Sequence, residues 1–120
     1  MHAIKLVAGA LLLLLAGYAT SHVVEGTGYP GPTVHTVEIV GFEFVPDKII
    51  VKVGDTVRWI NKDIAPHTAT SADTEVNEAW DSGRLNQFES WSFTAKSAGE
   101  TTYICSFHPL MTGSITVKPK

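Results

Sequence analysis

The stretch ETTYICSFHPLMTGSITVK, residues 100–118, contains an alternating strand, a short loop and a second alternating strand. The loop begins at Cys105 and adds an imidazole at His108 and a thioether at Met111. Pro109 lacks a backbone N–H and ends any strand at that point. In a continued strand, residues three apart point to opposite faces, so these side chains can converge only if the chain turns. The stretch therefore predicts a metal-binding loop between two strands.

Composition limits what the rest of the chain can be. A chain of 120 residues with 44 % hydrophobic content has room for one domain with one core. Its formal net charge of −3 provides no basic field for a nucleic acid. We therefore expect no nucleic-acid partner.

The N-terminus has the features of an export signal. Lys5 precedes an apolar run from Leu6 to Ala19, in which Gly17 and Ala19 are small enough for a cleavage site. As a helix this run spans about 21 Å, less than the hydrocarbon core of about 30 Å, which disfavours an uncleaved membrane anchor. We predict a signal peptide over residues 1–19, a periplasmic location and no stable membrane insertion after cleavage.

Export changes the meaning of the cysteine count. Cys105 is the single cysteine of the chain, so it cannot form a disulfide within that chain. In an oxidising compartment such a thiol is expected to be buried, paired with another chain or occupied by a ligand. Beside His108 and Met111, we favour a metal ion as that ligand.

The segments before the loop alternate between β-type and turn residues. Residues 20–33 are rich in Gly and Pro and predict a flexible N-terminal segment. Residues 34–44 keep a period of two except at Gly41, so we predict one strand with a bulge or kink. No segment holds a helical period, and this pattern predicts an all-β antiparallel sandwich over residues 34–120. Further strands are expected at about 48–53, 56–61, 90–95, 100–105 and 114–118.

The loop from Cys105 to Met111 leaves room for a fourth ligand, and His67 is the best candidate. It follows Pro66 in a polar loop after an apolar strand. His2 lies in the predicted signal and His22 in the flexible segment, while His35 begins the first strand, where we expect an exposed structural role. The predicted metal ligands are His67, Cys105, His108 and Met111.

This donor set discriminates among metals. A thiolate with two imidazoles and a weak axial thioether is the arrangement of copper electron-transfer sites. Structural zinc usually takes four strong nitrogen or sulfur ligands, so a Met ligand disfavours zinc. We predict one copper ion that alternates between Cu(II) and Cu(I).

Three phrases of the sequence resemble the cupredoxins, the small type 1 or blue copper proteins. They are Phe42-Glu43-Phe44-x-Pro46, Val53-Gly54-Asp55-Thr56-Val57-x-Trp59-x-Asn61 and Tyr103-x-Cys105-x-x-His108-Pro109-x-Met111-x-Gly113. The Cys-x-x-His-x-x-Met spacing is similar to that of the amicyanin group. The resemblance covers about residues 34–118 and implies an eight-stranded Greek-key β-sandwich with copper near one end. It also implies that the four predicted ligands hold the copper, Met111 weakly.

The function implied by the resemblance is electron transfer, not catalysis. The chain would pass single electrons between redox proteins such as a dehydrogenase, a c-type cytochrome or an oxidase, as a monomer. In this family the second His ligand reaches the partner through an apolar patch. The candidates here are Pro109, Leu110, Ile64, Ala65 and Pro66. The alternative is that these are ordinary hydrophobic loop residues with no role in partner binding.

One residue departs from the family pattern. Many relatives have Asn after the first His ligand, with a side chain that ties the two ligand loops together, whereas this chain has Thr68. We expect the backbone N–H contact with the Cys sulfur to survive. The tie between the loops should be weaker or made by the Thr hydroxyl.

The role of the acidic segment and the choice between electron transfer and copper delivery stay open at the level of sequence, whereas a hydrolase is disfavoured. The acidic segment 73–81 is either a solvated loop or a docking surface for a basic partner. A copper-delivery protein would use the same soft ligands, although it would favour a Met-rich, exchangeable site, and this chain has only Met1 and Met111. A Cys-His hydrolase would leave Met111 without a role.

Overall fold

The structure is a computed structural model that describes residues 28, 30–72 and 78–120. The predicted signal peptide, most of the predicted flexible segment and residues 73–77 of the acidic segment lie outside the described residues. No helix among the described residues is long and apolar enough to cross a membrane. The described part of the chain forms eight strands, β1 Val34–Val40, β2 Glu43–Val45, β3 Lys48–Lys52, β4 Thr56–Asn61, β5 Thr70–Ser71, β6 Ser90–Thr94, β7 Gly99–Ile104 and β8 Thr112–Lys118.

The strands form two four-stranded sheets, with the orders β2-β1-β4-β6 and β3-β8-β7-β5. The predicted all-β sandwich is confirmed. Most neighbouring strands are antiparallel, but β1 pairs with β4 and β3 pairs with β8 in parallel. The parallel pairs arise because the chain leaves the first sheet at β3 and returns to it at β4, beside β1. Alternation along a strand does not reveal these crossings.

The first predicted strand is in fact a hairpin. Strands β1 and β2 are antiparallel, with Val40 opposite Glu43 and a two-residue turn at Gly41 and Phe42. The φ angles of these two residues are +61° and +59°, as a two-residue hairpin turn of type I′ requires. The prediction of one kinked strand was wrong because a bulky residue rarely adopts positive φ and so hides the turn.

Aromatic side chains fill the space between the sheets. The ring of Trp59 on β4 lies 5.1 Å from that of Trp80, 5.8 Å from that of Trp91 and 5.3 Å from that of Tyr103, between centroids. Trp80 also stacks on Phe93 at 5.0 Å. Such ring contacts stabilise a core beyond the area they bury. The contact of Trp59 with Tyr103 joins β4 to β7, the two strands whose following loops carry the predicted ligands.

A carboxylate ties together the opposite end of the sandwich. Asp55 accepts the backbone N–H groups of Thr33 and Lys52 at 2.9 and 3.0 Å, and it contacts the ring of His35 at 2.9 Å. These hydrogen bonds lower the pKa of Asp55 to about 2, and the bond from the Thr33 N–H contributes most. His35 has the structural role expected for it, but its side chain is only 30 % exposed. It is the second residue of β1, about 20 Å from the hairpin turn by strand length.

Candidate metal centre

The loop between β7 and β8 folds into two consecutive turns. The N–H of His108 donates to the carbonyl of Cys105 at 3.1 Å, and the N–H of Met111 donates to the carbonyl of His108 at 2.9 Å. The N–H of Cys105 donates to the carbonyl of Met111 at 3.1 Å and closes the loop. These bonds bring the residues at +3 and +6 back towards Cys105, which is the turning that their spacing requires.

His67 is held from both sides in the loop after β4. Its backbone N–H donates to the carbonyl of Leu85 at 3.1 Å, and the N–H of Leu85 donates to the carbonyl of His67 at 2.8 Å. The ring of His67 is fully buried, and its Nε2–H donates to Asp63 at 2.9 Å. Because a carboxylate accepts and does not donate, the neutral ring carries its proton on Nε2, which leaves the Nδ1 lone pair free for a metal.

Three predicted ligands converge. The Sγ of Cys105 lies 3.7 Å from Nδ1 of His67 and 3.7 Å from Nδ1 of His108. All three atoms lie within 4.8 Å of one another, and no other group of three or more His, Cys, Asp or Glu side chains in the described part could hold a metal. Bonds of about 2.3 Å to sulfur and about 2.0 Å to nitrogen, meeting at about 120°, place the two donors about 3.7 Å apart. The two observed sulfur–nitrogen distances match this spacing.

Met111 occupies the end of the same loop. Met111 is buried, with an exposed fraction of 6 %, and its backbone carbonyl accepts the N–H of Cys105. A thioether is a soft, weak ligand that suits copper rather than zinc. The structure thus places the fourth predicted ligand in the loop that carries two of the others.

The two imidazoles of the site differ in how deeply they are buried. His67 and Cys105 are fully buried, whereas His108 is partly exposed. Leu110, next but one to His108, is 98 % exposed, and Ile64, near His67 in sequence, is 87 % exposed. Of the predicted ligands, His108 is therefore the one that reaches the surface, beside exposed apolar side chains.

Thr68 connects the two ligand loops through its hydroxyl group. Its N–H donates to the Sγ of Cys105 at 3.4 Å, as expected. Its Oγ1 accepts the N–H of Ser106 at 2.8 Å and lies 2.7 Å from the Ser106 hydroxyl. The Thr70 hydroxyl lies 2.9 Å from Oγ1 of Thr68 and donates to the Asp81 carboxylate at 3.1 Å. The Thr68 hydroxyl therefore joins the two loops, which is one of the two outcomes expected from the sequence.

Asp63 is a neighbour of the site that we did not predict from the sequence. Burial favours the neutral acid, but the N–H groups of Phe42 and Gly41 and the ring of His67 outweigh it and lower the pKa of Asp63. The signal available in the sequence was an acid four residues before a predicted ligand. Phe42 and Leu85 were also missed, because their contacts with His67 join distant parts of the chain.

The sandwich and its buried Cys–His cluster define a copper-binding protein of the cupredoxin class. The chain belongs to the plastocyanin/azurin family of copper binding proteins, whose model matches residues 33–118. The predicted resemblance to this family is confirmed, and the cofactor of this chain is one copper ion.

Individual relatives agree with this assignment. Amicyanin from Paracoccus denitrificans is 35 % identical over 83 residues, which cover 68 % of this chain and 63 % of that protein. A solved amicyanin variant in its Cu(I) form matches with a TM-score of 0.67 and 31 % identity, covering 71 % of this chain and 82 % of that one. A Cu-containing nitrite reductase from Thermus scotoductus matches with a TM-score of 0.68 and 32 % identity, covering 80 % of this chain and 25 % of that one. The chain spans less than two thirds of the length of the Paracoccus amicyanin.

Proposed function

We propose that this protein is an exported electron carrier that binds one copper ion through His67, Cys105, His108 and Met111. The observation that carries this proposal is the convergence of one buried thiol and two imidazoles, one of which reaches the surface. The bound copper supplies a one-electron redox couple. Electrons would enter and leave through the exposed edge of His108.

The protein contributes a rigid site. The backbone of His67 is paired with that of Leu85 through two hydrogen bonds, and Thr68 joins the His67 loop to the loop of Cys105. The Thr68 N–H also donates to the sulfur of Cys105, which stabilises a thiolate. A site held in this way changes little between oxidation states, so little reorganisation accompanies each electron transfer.

The alternative of copper delivery is less well supported. A delivery protein favours an exchangeable site, whereas Cys105 and His67 are fully buried. The similarity to nitrite reductase covers 25 % of that enzyme, so it supports the fold and not that enzyme's activity.

Partners and location are part of the proposal. The N-terminal pattern of residues 1–19 supports export to the periplasm. Partners would be redox proteins, such as a dehydrogenase, a c-type cytochrome or an oxidase, that contact the apolar surface around His108. Brief contact through a small apolar surface suits a carrier that must release each partner.

Copper titration tests the function. Metal-free protein should take up one equivalent of Cu(II) and develop an intense visible thiolate-to-Cu(II) absorption band. Reduction should bleach the band and reoxidation should restore it over repeated cycles, with electron exchange between the two forms measured by NMR. Release of copper to a mild chelator during the cycles would favour delivery instead.

The surface around Leu110 should control the rate of electron exchange. Because Leu110 is 98 % exposed, Leu110→Glu should leave folding and the visible band unchanged. It should slow exchange between Cu(I) and Cu(II) protein by about tenfold, which corresponds to about 1.4 kcal/mol for a charge placed in the contact. Val34→Glu, a similar change at the start of β1, should leave the rate unchanged. An unaltered rate in Leu110→Glu would exclude this contact surface.

A further inference from the structure

A single carboxylate joins the β1–β2 hairpin to a proposed copper ligand. Asp63 accepts the N–H of Gly41 at 2.7 Å and the N–H of Phe42 at 2.9 Å. It also accepts the Nε2–H of His67 at 2.9 Å. Asp63 is held in turn by Asn61, whose side-chain oxygen accepts the Asp63 N–H at 2.9 Å. The hairpin turn and the His67 ring therefore share one anchor.

Phe42 contacts both imidazoles of the proposed site. Its ring centroid lies 5.0 Å from that of His67 at an interplanar angle of 89°, and 4.9 Å from that of His108 at 81°. The two imidazoles are themselves 5.0 Å apart. Edge-to-face contacts at these distances are favourable. The phenyl ring thus packs against the imidazoles of His67 and His108, which come from different loops.

The backbone of Phe42 directs its ring towards the site. Its φ of +59° is a conformation that bulky residues rarely adopt. Such a conformation persists only where the surroundings impose it, and here the two bonds from the turn to Asp63 do so. Phe42 is 50 % exposed and lines a surface groove of about 830 Å³ together with His108. Its ring therefore lies at the surface, in contact with the buried His67 and the partly exposed His108.

We propose that Asp63 and Phe42 act together as a positioning clamp for His67 and His108, an inference that rests on the proposed copper function. Asp63 keeps the ring proton of His67 on Nε2, so that Nδ1 faces Cys105. Asp63 also holds the turn from which Phe42 restrains both rings. The clamp keeps the two nitrogen donors in place in both oxidation states of the bound copper.

Phe42→Leu tests the contribution of the ring, because leucine leaves the backbone bonds to Asp63 intact. Cu(I) should be lost to a chelator about tenfold faster, within the range of 10–100-fold found for residues that orient metal ligands. Electron exchange between Cu(I) and Cu(II) protein should slow by a similar factor. Phe42→Tyr keeps the ring and should stay within about twofold of the wild type on both measurements.

Phe88 provides a matched control. It is also a phenylalanine with positive φ, +66°, and it is 69 % exposed. Phe88→Leu should leave copper loss and electron exchange unchanged. Equal copper-loss rates in Phe42→Leu and Phe88→Leu would overturn the clamp.

Asp63→Asn tests the anchor in the metal-free protein. NMR of the ring nitrogens should show the Nε2–H form of His67 in the wild type and a mixture of both forms in the variant. The amide protons of Gly41 and Phe42 should exchange with solvent faster in the variant. A wild-type pattern in Asp63→Asn would overturn the role of the carboxylate.

The double variant Asp63→Asn/Phe42→Leu tests whether the two residues act as one unit. If they do, copper loss in the double variant should be slower than the product of the two single effects predicts, because the residues share one function. Additive effects would overturn the unit. Failure of the wild type to bind copper overturns the proposed function and the clamp with it. Normal copper cycling with an unaffected Phe42→Leu overturns the clamp alone.

Discussion

Cys105→Ser is expected to abolish the intense visible band of the Cu(II) protein. That band requires a thiolate bound to Cu(II), and Cys105 is the only cysteine in the chain. Its Sγ lies 3.7 Å from both imidazole nitrogens, so the sulfur is central to the donor set. Cu(I) affinity should fall by more than about 100-fold, beyond the range found for residues outside the ligand set. Visible absorption and competition with a Cu(I) chelator measure the two effects.

Ser106→Ala provides the comparison for this variant. It alters the residue next to Cys105 and removes one hydroxyl from the contact with Thr68, but it keeps the thiol. The band should persist with at most a small shift, because the Ser106 N–H still donates to Thr68. An intense band in Cys105→Ser would mean that the thiolate is not the origin of the colour, and would contradict the proposed site.

Gly113→Ala is expected to destabilise the fold strongly. A Cβ added at Gly113 would lie 2.8 Å from Cε1 and 2.5 Å from Oη of Tyr103, and closer still to Cζ. Tyr103 is fully buried, at 0 % exposure, and packs against Trp59 and Phe44. Overpacking of this kind costs about 1–3 kcal/mol. For a domain of about 90 residues, the midpoint of thermal unfolding should fall by roughly 5–20 °C.

Gly31→Ala is the matched substitution, because a Cβ at Gly31 has no heavy atom within 4 Å. Its unfolding midpoint should equal that of the wild type. Calorimetry of the metal-free proteins avoids the stabilisation that bound copper adds by mass action. An unchanged midpoint in Gly113→Ala would show that Tyr103 moves aside freely, contrary to the packing described here.

The local patterns of the sequence were reliable for the strands and for the metal. Alternation marked most strands because one face of each is buried and the other is exposed. The ligand types indicated copper because thiolate, imidazole and thioether groups together prefer copper over other metals. The hairpin at Gly41 and Phe42 was missed because bulky residues rarely adopt positive φ, and because Asp63, which binds the turn, is 22 and 21 positions away in the sequence.

The residues around the ligands could not be derived from sequence spacing. Leu85 lies 18 positions after His67 and Phe42 lies 25 positions before it, and no local period relates them. Their contacts exist because the sheet order places β1 beside β4 and brings the hairpin over the loop after β4. Thr68 shows the same limit, since its hydroxyl finds Ser106 only after the two loops meet.

The sequence by itself determined the class of the fold and the identity of the donors, because strand alternation and ligand chemistry are properties of neighbouring residues. Only the tertiary structure decided that Cys105, His67 and His108 converge, that His108 is the partly exposed ligand, and that Phe42 and Asp63 restrain the imidazoles. The physical reason is that these features depend on contacts between separate strands and loops, which form when the two sheets pack around Trp59.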